Sequence, residues 1–199
     1  SGGTAATSTR IAMSPAVTFR DGELRTERTA ARVGTFEVEG RRLRGVSLGG
    51  SEHFALPRAH ASLRTVDVYL GRMAGGARAT QALSAVSAGA FKIPGVRSAV
   101  TALAGRLLKG STGGPDAEAR SRTAFLAVAR AATDSGRVLA SVALHGPDVY
   151  TFTGDILAWG AMEAAANGLQ GAGALGPVDA FGLRALRAGV ESCGVRVLG

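Results

Sequence analysis

The chain has 199 residues, 46% of them apolar, which suits one domain of ordinary size with a substantial core. Aromatic residues make up only 5%, so Ala, Val and Leu must fill that core, and little room is left for a large aromatic-lined pocket. Net charge is +8 and almost all of the basic residues are arginine, but they are spread along the chain, with Arg41, Arg42 and Arg44 the densest cluster and no aromatic ladder beside it, so a solvated surface is favoured over a nucleic-acid interface.

Cys193 is the single cysteine, which excludes an internal disulfide and fits a reducing, cytoplasmic setting. The longest apolar helix candidate, residues 152–169, contains Asp155, Glu163 and Asn167. A spanning helix needs about 20 mostly apolar residues, so no membrane span is expected. The sequence opens at Ser1 inside a Gly-Thr motif rather than at Met, and no signal-peptide pattern follows. The expectation is a processed or partial chain, one domain from the C-terminal side of a larger protein.

In chain order, Thr4 is a good N-cap for a short helix ending near Met13. Asp21-Gly22 marks a turn. Val33, Phe36 and Val38 before Glu39-Gly40, with Leu43, Val46 and Leu48 after it, predict a hairpin. Residues 49–61 read as a polar loop with Pro57. Val66, Val68 and Leu70, alternating with Asp67 and Tyr69, form the clearest strand pattern.

Two helices are predicted over residues 76–91 and 96–109, the second with Val96, Val100, Leu103 and Leu107 in one stripe. Residues 110–116 form a Gly-rich loop. The apolar runs 122–132 and 137–145, separated by Asp134-Ser135-Gly136, predict a long hairpin, although the first, Ala-rich run also suits a helix. A helix over 150–169 should be buried on more than one side. Another starts at Pro177, carries Phe181, Leu186 and Val190 inward, and ends near Gly194. Val195 and Val197 make a last strand. This order predicts an α+β layer: a mixed, largely antiparallel sheet covered by helices, without a Rossmann domain of its own.

No Gly-x-Gly-x-x-Gly, no phosphate-binding Gly-x-x-x-x-Gly-Lys-Ser/Thr and no Gly-x-Ser-x-Gly is present. His53, His60, His145 and Cys193 lack metal-ligand spacing, so no metal is expected. Gly2, Gly3 and Thr4 could offer backbone N–H groups to an anion, or simply cap a helix. Ser51, Glu52, His53 and Arg58 concentrate acid/base and anion-binding chemistry in one segment; local ion pairs pinning a loop are the alternative. Residues 110–116 are either an anion-binding loop or a connection. Tyr150 and Thr153 open a helix and could contact a substrate, with Asp148 or Thr151 as its cap. Cys193 reads as a packing residue.

Several segments, in order, carry a resemblance. They are Ser1-Gly2-Gly3-Thr4-Ala5-Ala6-Thr7, Ser51-Glu52-His53-Phe54-Ala55-Leu56-Pro57-Arg58, Gly113-Gly114-Pro115, Gly146-Pro147-Asp148-Val149-Tyr150-Thr151-Phe152-Thr153, Gly176-Pro177-Val178-Asp179-Ala180-Phe181-Gly182, and Gly194-Val195. Together they resemble the C-terminal half of saccharopine dehydrogenase-like proteins, including the trans-acting enoyl reductase branch. The resemblance implies an NAD(P)-dependent oxidoreductase in which an N-terminal Rossmann domain binds NAD or NADP. The half resembled here would shape the substrate side of the cleft and often the subunit contact, making a homodimer possible. On that basis Gly2, Gly3 and Thr4 would lie near the cofactor. Glu52, His53 and Arg58 would be catalytic, and Ser51, Tyr150 and Thr153 would bind substrate. A non-catalytic module for self-association or small-ligand binding is the competing reading.

Overall fold

The computed structural model describes residues 15–38, 40–71 and 115–198. The helices predicted near the N-terminus and over 76–91 and 96–109 lie outside the described residues, as do 110–114 of the Gly-rich loop. The chain divides into two compact units, Ser1–Gly113 and Gly114–Gly199. Helices and antiparallel sheets together make the α+β class that the sequence predicts.

The first unit is built on hairpins. β1 (Pro15–Arg20) and β2 (Glu23–Arg28) pair antiparallel. Asp21 and Gly22 join them in two residues, with φ of 55° and 84°. Positive φ at both central positions matches the turn to the right-handed twist of the strands, and Asp-Gly tolerates it. β3 (Val33–Val38) and β4 (Arg41–Ser47) form the second hairpin, with Val33 opposite Val46 and Phe36 opposite Leu43. β5 (Tyr69–Gly71) adds to the other side of β4.

Strand periodicity decides what this second sheet buries. Phe36 and Tyr69 meet on one face, their ring centroids 5.1 Å apart. On the opposite face Thr35, Glu37, Arg42 and Arg44 are exposed. Val46, on that same face, packs with Ala30, and the partly buried Val33 lies against this pair. Residues 64–71 stitch the two hairpins into one unit. The Gly22 N–H donates to the Arg64 carbonyl at 3.0 Å, the Val66 N–H to the Phe19 carbonyl at 2.9 Å, and the Leu48 N–H to the Val68 carbonyl at 3.0 Å. The predicted strand of Val66 to Leu70 is thus extended chain whose sheet pairing changes partner midway.

In the first unit one stretch predicted as loop is helical: residues 52–59 form helix α1 (Glu52–Ala59). Glu52 in the first turn and Arg58 in the last both suit the helix dipole.

In the second unit, Asp116 caps a short helix, α2 (Ala117–Ser121), by accepting from the Ala119 N–H at 2.7 Å. β6 (Phe125–Ala132) and β7 (Val138–Gly146) form the long hairpin, and β8 (Arg196–Leu198) pairs with β7 on its other side. The Ala-rich first run is therefore strand.

α3 (Val149–Asn167) follows. It is only partly covered, on the stripe holding Phe152, Ile156 and Trp159, while Leu157 and Met162 are 68% and 72% exposed. The expected burial on several sides is not found. The helix predicted from Pro177 is two helices, α4 (Pro177–Phe181) and α5 (Leu183–Ser192), broken where Gly182 takes φ 75°. As predicted, Leu186 and Val190 face inward and Arg184, Arg187 and Glu191 outward. Trp159 lies over Gly189, where a Cβ would overlap its indole ring, so glycine lets α3 and α5 approach. Phe181 packs on Trp159 at 5.0 Å between centroids. Among the described residues no helix is long and apolar enough to cross a membrane.

Candidate functional site

The Gly49-Gly50-Ser51 segment leads into α1, which packs on β1. Ser51 already has helical φ and ψ of −62° and −22°, and its hydroxyl makes no capping bond. The capping function passes to His53. Its Nδ1 lies 3.1 Å from the Gly50 amide nitrogen and 3.0 Å from the Gly50 carbonyl oxygen. An unprotonated Nδ1 accepts from the N–H; a protonated one donates to the carbonyl. In either state the ring holds the first turn by reaching back three residues, as the second residue of a capping box does.

His53 is 1% exposed, the largest fully buried side chain among the described residues. Ser51, Glu52 and Arg58 are exposed. At 100° per residue, six residues leave Glu52 and Arg58 about 120° apart around the helix, so they present to different sides. Among the described residues no hydrogen bond or ion pair links Glu52, His53 and Arg58 to one another. The structure thus gives α1 a buried anchor and three outward polar groups.

Tyr150 and Thr153 belong to the second unit, in the first turn of α3. Tyr150 is exposed, and its backbone N–H donates to Asp148 Oδ1 at 3.0 Å. The Thr153 hydroxyl donates to the Val149 carbonyl at 2.7 Å. Asp148 is the cap: Oδ1 also accepts from the Thr151 N–H at 3.0 Å and from its hydroxyl at 3.3 Å, and Oδ2 accepts from the Thr123 hydroxyl at 2.9 Å. Desolvation pushes the Asp148 carboxyl up. The bonds from the Thr151 amide, the Thr123 hydroxyl, the Tyr150 amide and the Thr151 hydroxyl together outweigh it and hold the group below its ordinary value. Gly2, Gly3 and Thr4 lie outside the described residues.

A charged cluster in the first unit is absent from the sequence reading. Asp67 Oδ1 receives Arg20 at 2.6 Å and Arg32 at 2.9 Å, and Arg32 also pairs with Glu27. Burial pulls the Arg32 guanidinium down, but the hydrogen bond with Tyr69 and the charges of Asp67 and Glu27 raise it above its ordinary value. Arg20 Nε and Arg32 Nε are buried without a hydrogen-bond partner. The clue in the sequence is Asp67 itself, a carboxylate between Val66 and Val68 in an apolar strand pattern. Its arginine partners are 47 and 35 residues away, beyond the reach of local spacing.

No family model, no curated protein and no solved structure matches this chain.

Among the described residues, no group of three or more His, Cys, Asp or Glu side chains is arranged to hold a metal ion. What α1 offers chemically is a hydroxyl, a carboxylate and a guanidinium on a short, internally fixed helix. Ser51 and Glu52 stand at the start of the helix, while Arg58 lies in its last turn and on a different side.

Proposed function

We propose that this chain is the substrate-side, C-terminal domain of a saccharopine dehydrogenase-like NAD(P)-dependent oxidoreductase. An N-terminal Rossmann domain of the same protein would supply the seat for NAD or NADP, and this part alone would be inactive. Hydride transfer requires the cofactor to be held against the substrate, and this chain carries no dinucleotide fingerprint. The ordered set of matching segments supports the reading. The single structural observation that carries it is the anchored entry of α1, where buried His53 fixes the turn from which Ser51 and Glu52 project, with Arg58 exposed in the last turn.

In this reading Arg58 and Glu52 meet the substrate, Ser51 assists in binding, and His53 acts by positioning the turn. Tyr150 and Thr153 are substrate contacts of lesser weight, and Gly2, Gly3 and Thr4 lie toward the cofactor. A cytoplasmic location goes with it. The test is kinetic, in the longer polypeptide. Arg58→Ala should lower kcat/KM roughly tenfold or more, equivalent to about 1.4 kcal/mol of transition-state stabilisation, at unchanged Tm. Unchanged kcat/KM would count against the assignment.

A second reading, a non-catalytic self-association module, draws on a different observation. Leu126, Val128, Val138, Leu139 and Val142 of the β6–β7 hairpin are exposed, as are Leu157 and Met162 of α3. The register puts Leu126 and Val128 on one face of the hairpin and Val142 on the other, and exposed apolar side chains on such faces often mark an interface. Light scattering at high concentration discriminates: an oligomer dissociated by Leu157→Glu supports the reading, and a strict monomer removes it.

A further inference from the structure

We draw no further inference here: the strongest candidate, the apolar surface of the β6–β7 hairpin with the solvent side of α3, already belongs to the self-association reading, and nothing in the structure shows what covers it.

Discussion

His53 Nδ1 sits 3.1 Å from the Gly50 amide nitrogen and 3.0 Å from the Gly50 carbonyl oxygen, beneath the first turn of α1. Truncating this ring removes buried volume and strips a partner from a backbone group. His53→Ala should therefore lower the stability of the first unit by roughly 1–3 kcal/mol, the usual cost of an unsatisfied buried donor. His53→Gln can reach the same amide through Oε1 and should recover part of the loss. Chemical denaturation of the two variants checks this. Equal, negligible losses would show that the ring does not hold the turn.

Asp148 makes the second unit sensitive to acid. Its carboxyl titrates lower in the folded chain than in the unfolded one. The stabilisation is therefore complete above the unfolded value, about pH 4, and is lost as pH falls through the lower folded value. Asp148→Ala, which removes the cap, should lower Tm at pH 7, and the difference from the parent should shrink below about pH 4. A difference independent of pH would contradict the capping account.

The Asp67 carboxylate joins two arginines that approach from different parts of the first unit. Asp67→Asn removes both of its ion pairs and leaves Arg32 with Glu27 alone. The expected loss is about 1–2 kcal/mol, more than a single exposed pair contributes, and it should narrow in high salt. A double-mutant cycle of Asp67→Asn with Arg20→Met isolates the coupling. Zero coupling would mean that the pair contributes nothing.

Two glycines on helices should respond in opposite senses. A Cβ at Gly189 meets the Trp159 ring, so Gly189→Ala should cost roughly 1–3 kcal/mol through overpacking. A Cβ at Gly154, inside α3, meets nothing within 4 Å. Gly154→Ala should stabilise by roughly 0.5–1 kcal/mol from helix propensity. Thermal melts of both variants test the packing of α5 on α3.

The hairpins were legible where apolar alternation met a turn signal. Val33, Phe36 and Val38 before Gly40, and the two runs around Asp134-Ser135-Gly136, are such cases. The β1–β2 hairpin escaped because β2 (Glu23–Arg28) has Leu24 as its only apolar residue and is largely exposed; only the Asp21-Gly22 turn was visible. α1 looks like loop in sequence because two glycines precede it, it contains Pro57, and it takes its cap from a histidine. α3 was placed correctly, yet its apolar sequence overstated its burial, since composition does not say which neighbours are in reach. At the candidate site, Ser51, Glu52, His53 and Arg58 were found by residue type. The burial of His53 and the separation of Glu52 from Arg58 around the helix needed the helix to be known first.

The most direct measurement is a calorimetric titration of NADPH and NADH into this 199-residue chain and into the polypeptide that includes the coding sequence upstream of it, with turnover followed at the nicotinamide absorbance. The expected result is tight binding and redox turnover only in the longer polypeptide. Tight binding and turnover by the 199-residue chain alone, or an upstream sequence with no nucleotide-binding half, would contradict the assignment.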